Sequence, residues 1–238
     1  MSRGLASAMR FTLSALALLM TLLSTESARA GGPVLVELFT SQGCNSCPPA
    51  DAYLGDLAKR RDVVALAFHI DYWDYIGWKD PFGNAAWTQR QRQYQRSLKT
   101  SQIYTPQMIV DGGQHAVGSD RREVERLIGA AAMRERPAIE LKRAASGLSL
   151  RIDGQGEGEI WIVGFDPRHE TKVARGENAG KTLSEFNVVR GMTRLDAWKG
   201  GALTRQVAAG DLPPGTAHAV LIQSPNMGRV LAVATAAP

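Results

Sequence analysis

The chain is poor in cysteine: Cys44 and Cys47 are the only two among 238 residues. A small secreted fold held together by a framework of disulfides is therefore excluded. The sequence also gives little support for a zinc site, which usually has three or four protein ligands. The cysteines provide one pair of ligands, but the four histidines are not spaced to provide a second pair. Apolar residues make up 44% of the chain, enough for the core of one large domain or two small ones.

Strong charge of either sign is also missing. The formal net charge is +5, and the basic residues form no dense tract of the kind that nucleic-acid-binding proteins carry. No Gly-x-Ser-x-Gly elbow occurs, and the glycine-rich stretch 154–158 lies between two predicted strands with no helix behind it. We therefore expect no nucleic-acid partner, no hydrolase of that type and no phosphate-binding loop.

The only long apolar run lies at the N-terminus. Arg3 and Arg10 precede the apolar run 11–23, and a small-x-small cleavage site follows it at 28–30. The run is shorter than the roughly 20 residues that cross a bilayer. Residues 1–30 are therefore interpreted as a signal peptide. We expect a periplasmic or secreted protein that is soluble after cleavage and has no stable membrane insertion.

Hydrophobic periodicity predicts an α/β domain over residues 33–136 with the order β-α-β-α-β-β-α. The predicted strands cover 33–39, 62–70, 105–111 and 115–117, and the helices cover residues from 48 onward, 84–99 and 119–135. On the second helix, Arg90, Arg92 and Arg96 are interpreted as a solvated face. After Pro137 the pattern changes to seven short strands separated by turns, which predicts a small β-rich domain over 137–238.

The two cysteines stand where the first strand ends and the first helix begins, two residues apart. A disulfide that closes so short a loop stabilises a fold by only about 2 kcal/mol, so a purely structural bond is disfavoured. Two thiolates and a histidine can bind copper(I), which leaves a non-enzymatic copper module with Cys44, Cys47 and His69 as an alternative. A protein-binding module is the other non-enzymatic alternative.

The redox interpretation uses the position of the pair directly. The positive end of a helix dipole stabilises a thiolate and lowers the thiol pKa from about 8.5 toward 7. Cys44 is predicted to be the attacking nucleophile and Cys47, one turn further in, the resolving cysteine. The expected activity is thiol–disulfide exchange with protein or small-molecule thiols and disulfides, and the redox-active disulfide is the only cofactor expected.

Three features of the sequence resemble those of the thioredoxin superfamily. They are the strand VLVELF, the CNSCP motif, and Thr105-Pro106 at the start of a later strand. More closely, the stretches ELFTSQGCNSCPPAD, HIDYWDYIGW and RGENAGKTL are similar to a bacterial family of secreted thioredoxin-like proteins, the domain of unknown function 1223. That second resemblance covers nearly the whole chain after the signal peptide. It implies a thioredoxin-like fold with an added β region, and it names no substrate.

The superfamily resemblance implies roles for three further residues. Thr105 and Pro106 match a cis-proline position, which would lie against the cysteine pair and offer the backbone of Thr105 to an extended substrate. Glu37 matches the neighbourhood of the buried acid that relays protons to the resolving cysteine, displaced by one residue.

Overall fold

The structure, a computed structural model, describes residues 31–236. The predicted signal peptide, 1–30, lies outside the described residues. The first part of the chain contains β1 (Val34–Thr40), α1 (Pro48–Leu57), β2 (Val63–His69), a single 3₁₀ turn (Asp74–Ile76), α2 (Ala85–Leu98), β3 (Gln107–Val110), β4 (Gln114–Val117) and α3 (Arg121–Ala132). The predicted order of strands and helices is confirmed over this part.

The second part consists mainly of strands. They are β5 (Ala138–Ala144), β6 (Gly147–Asp153), β7 (Gly158–Lys172), β8 (Thr182–Trp198), β9 (Leu203–Ala208), β10 (Ala217–Gln223) and β11 (Val230–Thr235). All seven predicted strands are present, but β7 and β8 extend well beyond the predicted 159–165 and 184–190. The predicted domain boundary falls between α3 and β5.

A mixed eight-stranded sheet joins the two parts, in the order β11-β10-β7-β8-β2-β1-β3-β4, and β5, β6 and β9 form a separate three-stranded sheet. β1 and β2 are parallel, whereas β3 is antiparallel to β1. β7 and β8 form a long antiparallel hairpin paired as far as Lys172 and Thr182, joined by the loop 173–181. We call the outer half of this hairpin, residues 166–188, the arm.

The two faces of the large sheet have different cores because side chains alternate along each strand. Val36 and Leu38 of β1 pack with α1 and α3 on one face. Leu35 and Phe39 pack with α2, β10 and β11 on the other. Side chains on neighbouring positions of β1 therefore reach different surroundings, and this decides which of them can approach the cysteines.

The ends of the helices follow the capping signals in the sequence. Pro48 and Pro49 open α1, which suits proline because the first helical N–H groups have no partner inside the helix. The Asn84 side chain caps α2 by accepting a hydrogen bond from the backbone N–H of Ala86 at 2.9 Å. Among residues 31–236, none of the helices is both long and apolar enough to span a bilayer.

Candidate redox site

Cys44 and Cys47 form a disulfide with their Cα atoms 5.5 Å apart, in the loop between β1 and α1. Cys44 is 3% exposed and Cys47 is completely buried. Asn45 and Ser46, between them, are exposed. The pair thus lies just beneath the surface, with Cys44 as its outer member.

The start of α1 offers few backbone donors to these sulfurs. Pro48 and Pro49 have no N–H, and the N–H groups of Ala50 and Asp51 already donate to the carbonyl oxygen of Cys47, at 2.8 and 3.1 Å. The hydroxyl of Ser46 lies 3.3 Å from the sulfur of Cys44, and it is the donor because a disulfide sulfur carries no proton. Stabilisation of a Cys44 thiolate would therefore depend on the helix dipole and on Ser46.

The peptide bond between Thr105 and Pro106 is cis. The indole N–H of Trp73 donates to the hydroxyl of Thr105 at 2.7 Å. The same tryptophan packs against the cysteine loop, since a Cβ on Gly43 would stand 3.1 Å from the Cβ of Trp73. Trp73 therefore connects the residue before Cys44 to the Thr105–Pro106 turn.

Glu37 is not brought to the cysteines. Its side chain shares the face of the sheet with α2, whereas Cys47 begins α1 on the opposite face. The carboxylate of Glu37 accepts a hydrogen bond from Arg90 Nε at 2.7 Å and a short one from the hydroxyl of Tyr94. Arg90 is buried, so the prediction of a solvated face was wrong for this residue.

Gln42, two residues before Cys44, uses every hydrogen-bonding group it has. Its backbone N–H donates to the Asp80 carboxylate at 2.8 Å, and its carbonyl oxygen accepts from the amide of Asn178 at 2.9 Å. Its side-chain Nε2 donates to Glu185 Oε1 at 2.8 Å, and its Oε1 accepts from the indole of Trp78 at 2.9 Å. The cysteine loop is thus held by segments far away in the sequence.

The loop at the tip of the arm reaches the cysteines themselves. The amide of Asn178, which is fully buried, donates to the carbonyl oxygen of Cys44 at 3.0 Å as well as to that of Gln42. Next to it, the carboxylate of Glu177 accepts a hydrogen bond from the backbone N–H of Asn45 at 3.3 Å. The arm therefore lies directly against the loop that carries the disulfide.

Buried ionisable groups surround Gln42. We call Gln42, Asp51, His69, Asp80 and Glu185 the cysteine-side cluster; all five are buried. Asp51 accepts a hydrogen bond from the Thr40 hydroxyl at 2.7 Å, and the Nδ1 atom of His69 lies 2.8 Å from Asp80. No protein group in the described part of the chain bonds His69 Nε2 or Glu185 Oε2, although both atoms are buried.

Burial changes the protonation of this cluster. It raises the pKa of Asp51 to about 6 and that of Glu185 to about 7, because a carboxylate loses its hydration there. Burial also opposes a charge on His69, but the neighbouring carboxyl groups, Asp80 foremost, together outweigh it and the pKa of His69 is raised. Burial likewise opposes ionisation of Asp80, yet the charge of His69 keeps the pKa of this carboxyl below its usual value. The cluster can therefore exchange protons near neutral pH.

Between residues 31 and 236, no group of three or more histidine, cysteine, aspartate or glutamate side chains is arranged so that it could hold a metal ion. The copper alternative with Cys44, Cys47 and His69 needs two free thiolates, whereas the two sulfurs form a disulfide here, so it stays a prediction.

Sequence reasoning missed Asp51, Glu185 and Asn178. Asp51 had a local signal: it follows Cys47 by four residues, so both side chains lie on one face of α1. Asn178 had a weaker one, since it stands in RGENAGKTL, one of the three stretches that carried the family resemblance. These three stretches meet around the disulfide. Glu185 had no signal, because only the pairing of β7 with β8 places it there.

Comparison with known proteins finds a family whose match includes all three of these stretches. The model of the family described as "Protein of unknown function (DUF1223)" matches residues 35–223, and the chain belongs to that family. No protein with a curated description matches the chain.

Two solved structures are similar. Protein AGR_C_4864 from Agrobacterium tumefaciens is 29% identical, with a TM-score of 0.77 over 88% of this chain and 96% of its own. HBP35 of Porphyromonas gingivalis is 11% identical, with a TM-score of 0.53 over 86% of this chain and 74% of its own, a similarity of fold alone.

Proposed function

We propose that this protein is an exported thiol–disulfide oxidoreductase that works through Cys44 and Cys47. The observation that carries the proposal is the disulfide itself: it lies at the start of α1, beneath two exposed residues. A bond across so short a loop contributes little stability. The many contacts that hold this loop in place are therefore better explained by reactivity than by stapling.

The arrangement of strands and helices in the first part of the chain supports the proposal, because it is the arrangement that the thioredoxin resemblance implies. The four strands β2-β1-β3-β4 have α1 and α3 packed on one face and α2 on the other. Thr105, linked to the cysteine loop through Trp73, and Pro106 are the residues to which the superfamily resemblance assigns substrate binding. Export is proposed from the apolar run and cleavage site at the N-terminus.

The reaction is a pair of exchange steps. A thiolate of a substrate dithiol attacks the sulfur of Cys44, the Cys44–Cys47 bond breaks, and the sulfur of Cys47 leaves with the electron pair. The second substrate thiolate then attacks the mixed disulfide and releases Cys44, so the substrate is oxidised to a disulfide and the protein pair is reduced. The reverse sequence reduces a substrate disulfide.

Asp51 is the acid best placed to serve Cys47. It follows Cys47 by one helical turn, and it is buried beside Thr40 with its pKa raised to about 6. A carboxyl of that pKa can carry a proton near neutral pH and give it to a leaving thiolate. This is the role that the superfamily resemblance assigned to Glu37.

Single-cysteine variants test the proposal. Reduced Cys47→Ser should form a mixed disulfide with oxidised glutathione at least about tenfold faster than Cys44→Ser, because its remaining thiol is the outer and more acidic one. The rates are measured by mass spectrometry of samples quenched with acid. Equal rates for the two variants, or a wild-type protein that exchanges with no thiol or disulfide in either direction, would contradict the proposal.

A further inference from the structure

Glu185 is the one member of the cysteine-side cluster that the arm supplies. Its side chain is buried, with Oε1 held by Gln42 at 2.8 Å and Oε2 bonded to no protein group in the described part of the chain. A buried carboxylate oxygen without a donor is unfavourable, and a redox role is one of the recognised reasons for such a group. The proposed exchange reaction does not use this group.

Charged and titratable groups face Glu185 from every element that packs around it. They are Asp51 from α1, His69 from β2, Asp80 from the segment that follows the 3₁₀ turn, and His169 from β7. His169 lies directly opposite Glu185 and is hydrogen-bonded to Asp166, which is also close to Arg190. Phe82 lies between the two histidine rings, with centroids 5.4 Å from His69 and 4.6 Å from His169. Asp51 and Asp80 oppose a further negative charge in this region, and His69 favours one.

We propose that Glu185 is a positioning residue for the redox pair: it takes up a proton when the disulfide is reduced, and so links the reduction potential to pH. The inference rests on the proposed function. Its consequence is that the β-rich part of the chain, through the arm, adjusts the equilibrium of a disulfide located in the first part.

The physical reason is the charge that reduction creates. A dithiol delivers two electrons, the S–S bond breaks, and the reduced pair keeps one thiol and one thiolate, the thiolate being at the more acidic Cys44. That new negative charge raises the proton affinity of the carboxyls around it. Glu185 responds near neutral pH because burial has already raised its pKa to about 7. The proton comes from solvent, and the dithiol ends as a disulfide.

Gln42 provides the mechanical connection. Its side chain bonds Glu185, its backbone N–H bonds Asp80, and it precedes Cys44 by two residues. A glutamine in place of Glu185 keeps an oxygen that can accept from Gln42, but it cannot bind or release a proton. The substitution Glu185→Gln therefore separates proton uptake from the structural role of the contact.

The test is the pH dependence of the reduction equilibrium. The mature wild-type protein, Glu185→Gln and the control Glu170→Gln are each equilibrated with dithiothreitol buffers between pH 6 and 8.5, and the reduced fraction is counted after alkylation. Glu170 is an exposed carboxylate on the same arm, paired with Arg168. One proton taken up on reduction changes the equilibrium constant tenfold per pH unit.

The quantity compared is the change, between pH 7 and 8.5, in the equilibrium constant for reduction of the Cys44–Cys47 disulfide by dithiothreitol. We expect this constant to fall about three- to tenfold more in the wild-type protein and in Glu170→Gln than in Glu185→Gln. Identical profiles for Glu185→Gln and the wild type would overturn the inference and leave the exchange activity intact. A wild-type pair that no dithiol reduces would overturn both. If Glu185→Gln does not fold, infrared difference spectra of Asp51→Asn, in which Asp51 cannot be protonated, decide: reduction at pH 7.5 should add a protonated carboxyl band, and no gain would contradict the proposal.

Discussion

Two buried polar clusters lie on opposite faces of β1, and they differ in how completely they are bonded. On the α2 face, Glu37, Arg90, Tyr94 and Gln223 bond one another, and none of their buried side-chain atoms lacks a partner. We call these four residues the α2 cluster. On the α1 face, the cysteine-side cluster leaves His69 Nε2 and Glu185 Oε2 without a partner among the residues that the structure describes.

This difference indicates different roles. A fully satisfied buried network makes the fold rigid and specific. Here the α2 cluster ties α2 to β1 and β10, and so joins the two parts of the chain. The cysteine-side cluster instead holds carboxyls with raised pKa values next to a disulfide, where incomplete bonding lets protons come and go. The first cluster should therefore govern stability, and the second should govern reactivity and its response to pH.

The largest expected effect comes from breaking the α2 cluster. Arg90→Met leaves the Glu37 carboxylate buried without its cation, and we expect a loss of about 3–5 kcal/mol in the free energy of unfolding. Urea unfolding of the oxidised protein measures it, with Arg92→Met, an exposed position on the same helix, as the control. The reduction potential of the folded variant should not change. A loss below about 1 kcal/mol would contradict a stabilising role for the cluster.

The next effect is a dependence of stability on pH that the cysteine-side cluster produces. The folded-state pKa values of Asp51 and Glu185, about 6 and about 7, lie above those of the unfolded chain, so the folded state binds more protons between about pH 4 and 7. The free energy of unfolding should therefore fall as pH rises through that window. The raised pKa of His69 acts in the same direction, because the stability it contributes is complete below about pH 6.5 and is lost above.

Amide variants measure that contribution. Asp51→Asn and Glu185→Gln should each raise the free energy of unfolding at pH 8 by about 2–4 kcal/mol, and have little effect at pH 4, because they remove a buried charge. Urea titrations at both pH values check it. A variant that lowers stability equally at both pH values would show that the carboxyl is needed only as a hydrogen-bond acceptor.

A smaller effect follows from loosening the arm. Asn178→Ala removes the side-chain amide that donates to the carbonyl oxygens of both Gln42 and Cys44. This should cost about 1–3 kcal/mol of stability and speed reduction of the disulfide by a bulky thiol. Stopped-flow reduction by glutathione measures the rate. Glu177→Gln, on the same loop but exposed, is the control. Unchanged stability and rate in Asn178→Ala would mean that the arm does not cover the pair.

The smallest effect concerns the donor next to the outer sulfur. Ser46→Ala removes the hydroxyl that donates to Cys44. The Cys44 thiolate then loses about 0.5–1.5 kcal/mol of hydrogen-bond stabilisation, which raises the thiol pKa by up to about one unit. The pH profile of iodoacetamide alkylation of the reduced protein measures that pKa. Asn45→Ala, the other exposed residue of the loop, should leave the profile unchanged. An unshifted profile in Ser46→Ala would leave the helix dipole as the main stabiliser of the thiolate.

The sequence could predict the elements of this fold because the signals for each element are local. The apolar run at 33–39, the two prolines after Cys47 and the turn residues after Pro137 define strands and helices without any knowledge of tertiary contacts. The cysteine pair could be identified for the same reason. Arg90 shows the limit of such signals: spacing placed it on a solvated face, and only the burial of Glu37 opposite it explains why it turns inward.

The rest of the site depends on pairings that no local pattern reveals. Glu37 was assigned by resemblance, but the alternation of β1 turns it away from α1. Gln42 and Glu185 are 143 residues apart in sequence. They meet because β8 pairs with β2, next to β1, and β7 extends beyond its predicted strand to pair with β8 at Glu185. The lengths of β7 and β8 depend on the pairing between these two strands and on their contacts with α1. The hydrophobic pattern of the sequence specifies neither of these.

The reduction potential of the Cys44–Cys47 pair, measured on the folded protein at pH 7 against glutathione and dithiothreitol buffers, tests the central claim most directly. A pair built for exchange should equilibrate with these buffers while the protein stays folded, at a potential above the roughly −300 mV below which structural disulfides lie. A pair that resists reduction until the protein unfolds, or whose potential lies below that value, would contradict the account.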